Sequence, residues 1–374
     1  MSDSRYSLGS AIIGEKRYRI LNLFFFRERT FLRLVAFCLL SSIIFYPYPA
    51  IAMWVGFVFA AYSAIANDSI QTIGTFIASN EDRKWWHLWL FIGGIFLVTS
   101  LYSWHTFDGD VSFQRLTSKG FSESPTSFHF LQLISPLILL MITRLRMPVS
   151  TTFMLLSVFS ADADAILGVT QKSLTGYGLA FVTAIVVWYG MGKFLKRFTR
   201  GEPHPYWRIA QWTISGSLWS VWIMQDAANI AIFLPRQLSI WEYVAFAGFV
   251  FFGLGILFYL KGDKIQSIVK EKSSVTDVRS ASIIDLVYAV LLFFFKEIST
   301  IPMSTTWVFL GLLGGREIAM QFSPHSKTGR SKKQTFTLVL RDMTYALIGL
   351  FISIALAAAI NPQIQGVIME KLGF

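Results

Sequence analysis

The sequence predicts an all-α polytopic membrane protein: eleven membrane segments, arranged as two inverted five-segment repeats behind one extra N-terminal helix. Three observations carry that expectation. Of 374 residues, 54% are hydrophobic and only 15% charged, with a mean hydropathy of +0.53. A soluble domain averages about 25% charged residues, so this chain cannot clothe a soluble surface of its size. The apolar residues fall in continuous runs, too long for strands and without the alternation of a β-barrel. Two short polar motifs each occur twice inside those runs.

Composition excludes a soluble globular enzyme, a disordered protein and a secreted disulfide scaffold. The single cysteine, Cys38, leaves no disulfide and no cysteine-based metal cluster. Twelve Trp and thirty-five Phe suit a lipid-facing surface with aromatic belts. The net charge of +11 does not point to nucleic acid, because the basic residues sit in short loops between apolar runs.

A helix needs roughly 20 apolar residues to cross a hydrocarbon core. The segments fall at 32–48, 50–78, 85–102, 128–143, 148–170, 176–192, 208–234, 241–260, 281–300, 304–320 and 341–360. Segments 148–170 and 304–320 suit either spans or re-entrant hairpins. Residues 1–31 are too polar and basic for a signal peptide. They form a cytoplasmic tail with an amphipathic stretch around Ile20–Phe26. The extra helix occupies 32–49, the repeats 50–192 and 208–360, a basic linker 193–207 and a C-terminal tail 361–374. With the N-terminus inside, 26 of the 33 Lys and Arg fall on the cytoplasmic side and 5 on the other, as the positive-inside rule requires. The compact loops suit a bacterial inner membrane.

The first duplicated motif is Asn67-Asp68 with Gln71 and Gly74-Thr75, matched by Gln225-Asp226 with Asn229. The second is Pro148-Val149-Ser150-Thr151-Thr152, matched by Pro302-Met303-Ser304-Thr305-Thr306. The copies keep the same order at nearly the same spacing, 82 residues from Asp68 to Ser150 and 78 from Asp226 to Ser304. Five segments per repeat invert the second copy, the plan of secondary transporters with a site near the midplane.

An ionised carboxylate at the centre of a membrane helix costs roughly 2.5–3.5 kcal/mol on insertion scales. Asp68 and Asp226 are therefore expected to face the protein interior and mark an ion path. Asn67, Gln71, Gln225 and Asn229 add amide oxygens, which suit a hard cation, and amide N–H groups, which suit an oxyanion. Pro-x-Ser-Thr-Thr is a helix start, with Pro breaking the chain and Ser or Thr capping the next turn. Two such starts within the membrane would aim N–H donors and positive dipole ends at one anion. The expected oxyanion contacts are Asp68, Gln71, Ser150, Thr151, Asp226, Asn229, Ser304 and Thr305. The expected cation contacts are Asn67, Asp68, Thr75, Thr152, Gln225, Asp226 and Thr306. Asp162 and Asp164 either carry protons or line the outer mouth. Lys296-Glu297 and Arg316-Glu317 are expected as ion pairs holding the fold. The five histidines have no metal-site spacing, and the chain has no P-loop, no Gly-x-Ser-x-Gly and no His-Glu-x-x-His. No metal beyond Na⁺, no cofactor and no enzymatic activity are expected. Residues 326–336 suit a solvated loop.

These four motif copies, as a set, resemble the inorganic phosphate transporter (PiT) family, in which each of two inverted repeats carries a Gly-Ala-Asn-Asp-x-Ala-Asn type motif and a Pro-x-Ser-Thr-Thr motif. The resemblance covers about 50–360. It implies cotransport of phosphate with Na⁺ or H⁺, substrate contacts from the Asp, Asn, Ser and Thr positions of both repeats, and for many members a homodimer. The chain departs from the pattern at Gln71 and Gln225, which stand where the family has Asn, and at Ile70, which stands for Ala. It also has Ile232-Phe233 where a Gly-Pro often follows. Two other readings remain at this stage: transport of another oxyanion such as sulfate, and a non-transporting membrane receptor or regulatory subunit that keeps the fold.

Overall fold

In a computed structural model the described residues are 10–13, 16–19, 28–117, 120–144, 147, 149–160, 162–190, 197, 201–260, 278–323 and 331–372. Strands β1 (Ser10–Ile13) and β2 (Lys16–Arg19) pair antiparallel within the N-terminal tail. All other regular structure among the described residues is helical. The stretch Ile20–Phe26, Pro148, and the basic loop up to residue 330 lie outside the described residues.

The helices follow in chain order as α1 (Arg29–Phe45), α2 (Pro49–Ser63), α3 (Ser69–Ser79), α4 (Trp85–Thr106), α5 (Phe130–Arg144), α6 (Ala163–Ile185), α7 (Tyr206–Ala231), α8 (Ile240–Tyr259), α9 (Val278–Ile298), α10 (Thr305–Phe322), α11 (Lys332–Ile360) and α12 (Pro362–Leu372). Among the described residues six stretches are long and apolar enough to cross a membrane: Pro49–Asp68, Trp85–Thr106, Ala163–Gly190, Ile240–Tyr259, Val278–Ile298 and Lys332–Ile360. The chain is an integral membrane protein. Within a bilayer each helix satisfies its own backbone, which is why apolar runs of this length become helices. α1 is shorter, and α7 carries the polar residues of the second Asp motif.

Three segments differ from the sequence reading. Residues 148–170 and 176–192 are not two spans. A short stretch comprises a π-helical turn at Thr152–Leu156 and a 3₁₀ turn at Ser157–Phe159. The chain then breaks at Ser160, and a single helix, α6, runs on into a π-helical turn at Val186–Gly190. The break has a local cause: Ser160 Oγ donates to Asp162 O at 2.7 Å, and the Asp162 carboxylate caps α6 by accepting from Asp164 N at 3.0 Å. Residues 331–336, expected in a loop, open α11 through a capping box in which Ser331 and Gln334 bond reciprocally. The C-terminal tail forms α12 after Pro362.

α6 and α10 approach closely enough that a Cβ at Gly311 would strike Tyr177 O and one at Gly315 would strike Phe181 O. Small residues four apart permit such backbone contact between membrane helices. Elsewhere Trp side chains tie elements together by donating to carbonyls. Trp89 Nε1 reaches Phe251 O at 2.8 Å, and Trp219 Nε1 reaches Ile92 O at 3.0 Å. The expected ion pairs form: Lys296 Nζ lies 2.7 Å from Glu297 Oε1, and the buried Arg316 Nη1 lies 3.1 Å from Glu317 Oε1.

Candidate oxyanion and cation site

The helix of the first Asp motif is interrupted where the motif begins. A π-helical turn, Ala64–Asp68, separates α2 from α3 and presents Asn67 and Asp68 to the interior. Such turns widen a helix locally and concentrate at functional positions. Asn67 Nδ2 donates to Asp68 Oδ1 at 2.8 Å. The second Asp motif lies on the last turns of α7, where Asn229 Nδ2 donates to Asp226 Oδ1 at 2.6 Å. Both carboxylates are buried and lie near enough to repel one another.

The two Ser-Thr-Thr starts are built alike. Ser150 Oγ accepts from Phe153 N at 3.2 Å, and Ser304 Oγ accepts from Trp307 N at 3.2 Å. Each serine is thus a helix cap, as the motif predicts. Ser304 N is already committed, donating to Ser173 Oγ at 2.9 Å. This narrows the sequence expectation: the Ser304 backbone N–H is not free for an anion. The two starts touch, with Thr152 Oγ1 donating to Met303 O at 3.2 Å and the Phe153 and Trp307 rings 5.5 Å apart.

The motifs pair crosswise along the chain. Gln71 Nε2 donates to Thr306 Oγ1 at 3.3 Å and reaches Asp68 Oδ1 at 3.5 Å. Thr152 Oγ1 accepts from Asn229 Nδ2 at 3.2 Å and lies 3.5 Å from Asp226 Oδ1, which shares the one hydroxyl proton with Met303 O. The Thr151 hydroxyl is turned toward Asp68 and that of Thr305 toward Asp226. Each Asp motif therefore meets the Ser-Thr-Thr of its own half and that of the other. Gln225 is held at the edge, its Nε2 donating to Leu292 O at 3.0 Å.

Five buried atoms in this cluster have no hydrogen-bond partner: Gln71 Oε1, Gln225 Oε1, Asp226 Oδ2, Asn229 Oδ1 and Thr151 Oγ1. A buried acceptor without a donor costs about 1–3 kcal/mol. Four of the five accept only, so the cluster offers lone pairs to a cation. The fifth is a hydroxyl, which can serve either charge.

Thr75 does not join the cluster. Its Oγ1 donates to Asp285 Oδ1 at 2.7 Å, and Ser215 Oγ donates to Asp285 Oδ2 at 2.6 Å. Sequence reasoning missed Asp285, a carboxylate that also lies in an apolar run but in no duplicated motif. It also missed Tyr288, whose hydroxyl donates to Thr305 O at 3.0 Å and which stands near both carboxylates. Asp162 serves as a helix cap. Among the described residues no group of three His, Cys, Asp or Glu side chains forms a metal site.

No family model and no curated protein sequence matches the chain. Among solved structures the fold matches one described as the sodium-dependent phosphate transporter, with a TM-score of 0.55 over 86% of this chain and 98% of that chain. Sequence identity is 15%, so the likeness establishes a shared fold.

Proposed function

We propose that this protein is a secondary active transporter that carries inorganic phosphate together with Na⁺ or H⁺, through a site formed where two inverted repeats meet. The observation that carries the reading is the crosswise pairing: Gln71 with Thr306, and Thr152 with Asp226 and Asn229. A purely structural polar cluster would satisfy its own acceptors. This one leaves four buried oxygens open, three on amides and one on the Asp226 carboxylate. Na⁺ suits those oxygens, and a cation held there offsets the repulsion between Asp68 and Asp226. With that charge compensated, the Thr151 and Thr305 hydroxyls can donate to an oxyanion. The name of the structural neighbour supports both phosphate and sodium.

In this reading Asp68, Gln71, Ser150, Thr151, Asp226, Asn229, Ser304 and Thr305 surround the oxyanion. Asn67, Asp68, Thr152, Gln225, Asp226 and Thr306 surround the cation. The N-terminus is cytoplasmic, the chain sits in a bacterial inner membrane, and two copies form a dimer. Uptake of labelled phosphate into proteoliposomes tests the reading. Accumulation should follow an imposed Na⁺ or H⁺ gradient and be competed by unlabelled phosphate more than by sulfate. Uptake no greater than in protein-free vesicles under either gradient contradicts it.

A further inference from the structure

Arg115 and Lys172 belong to neither motif, yet they converge on the stretch that leads into the second Ser-Thr-Thr. Arg115 Nη1 donates to Ser299 O at 2.7 Å and to Ile301 O at 3.4 Å, and its Nε donates to Met224 O at 3.3 Å, two residues before Asp226. Lys172 Nζ, on α6, donates to the same two carbonyls at 2.8 and 2.7 Å. Two basic side chains thus share both carbonyls and lie close enough to repel each other when both are charged.

The loop that delivers Arg115 is built at a cost. Phe113 and Gln114 adopt φ values of 53° and 59°, a left-handed conformation that bulky side chains rarely take. The Asp110 carboxylate holds them there, accepting from Ser112 N and Gln114 N at 2.6 Å each. Strain maintained in this way marks a functional position more often than an idle one. Arg115 follows directly and is only 2% exposed. Burial pushes its guanidinium down to about 10, with Asp226 and Glu297 acting in the opposite sense, so it stays cationic at neutral pH. Glu297 is itself engaged by Lys296 at 2.7 Å.

Carbonyls are neutral partners. A hydrogen bond from a cation to an oxyanion is roughly twice as strong as one between neutral groups. An arriving tetrahedral oxyanion could therefore take the place of the Ser299 and Ile301 carbonyls between the two side chains. We propose that Arg115 and Lys172 form an outer binding station for a tetrahedral oxyanion, distinct from the Asp68–Asp226 site and placed on the path to it. The station rests on the transport reading and on its N-terminus-inside orientation. Occupying it would also release the stretch 299–303 ahead of the second Ser-Thr-Thr.

The test reads Lys172 itself. The protein, in phosphatidylcholine nanodiscs, is briefly treated with a water-soluble amine-acylating reagent, and modification at each lysine is measured by mass spectrometry. Inorganic phosphate should slow acylation of Lys172 several-fold while leaving Lys296 and Lys333 unchanged, and chloride at equal ionic strength should have no effect. Asp226→Asn should keep this protection although it stops uptake, and Arg115→Gln should lose it. Lys172→Gln should raise the phosphate concentration for half-maximal uptake about tenfold, the loss of one charge-assisted contact, with the maximal rate near the parent's. Lys172 acylation indifferent to phosphate overturns the station, as does protection that disappears in Asp226→Asn. Protection that follows phosphatidylglycerol content and ignores free phosphate assigns the two side chains to a lipid headgroup and also overturns it. A protein that transports nothing but still shows phosphate protection would sink the transport reading and leave the station standing.

Discussion

At the scale of single residues, the serines and threonines of the two helix starts do different work. Ser150 and Ser304 spend their oxygens on capping, whereas the Thr151 hydroxyl is buried without a partner. Ser304→Ala should therefore cost about 1 kcal/mol of stability, read as a lowered Tm in detergent. Thr151→Val keeps shape and removes only the hydroxyl. It should leave Tm unchanged and weaken phosphate binding about ten- to a hundredfold, since hydrogen bonds to a charged group are worth roughly 1.5–3 kcal/mol. Equal phosphate affinity in Thr151→Val and the parent would make that hydroxyl a bystander. The carboxylate motif should show a second asymmetry. Asp68→Asn removes a charge the cation needs and should abolish coupled uptake. Gln71→Asn keeps the amide but withdraws it from Thr306. One neutral hydrogen bond of about 0.5–1.5 kcal/mol then predicts a two- to tenfold rise in the phosphate concentration for half-maximal uptake. Similar, mild losses in both variants would reduce the motif to interhelical glue.

At the scale of elements, the close packing of α6 against α10 sets where the second Ser-Thr-Thr sits. A methyl group at Gly311 or Gly315 meets backbone carbonyls of Tyr177 and Phe181, which cannot swing aside as a side chain could. Gly311→Ala should destabilise by about 1–3 kcal/mol, the usual cost of overpacking, and lower uptake with it. Gly178→Ala on α6, where an added Cβ meets nothing, is the control and should hold or raise Tm. If both variants melt together, the helix contact is not what places the site. Elements also show where sequence reading reached its limit. Continuous hydropathy defined α4, α8 and α9 to within a few residues. It failed between 148 and 192 because Phe153–Phe159 and the start of α6 are both apolar, and only the cap at Asp162 separates them. A window that averages hydropathy passes over such a break.

At the scale of the whole molecule, the site residues legible in sequence were those whose pattern was duplicated. Asp68, Asp226 and the two Ser-Thr-Thr starts stood out because each copy vouched for the other. Asp285, Tyr288 and Arg115 had no second copy to draw attention. The partners of Asp285 and Arg115 are also remote in sequence, as with Thr75, which lies 210 positions from Asp285. Only the fold brings such pairs together. The central claim is that both halves of the chain contribute to one ligand at the same time. The most direct measurement is a structure determined by electron cryomicroscopy in Na⁺ and phosphate. The account predicts tetrahedral density in contact with Thr151 and Thr305 at once, between Asp68 and Asp226. Density confined to one half, or no ordered anion among these four residues while phosphate is demonstrably bound, would contradict it.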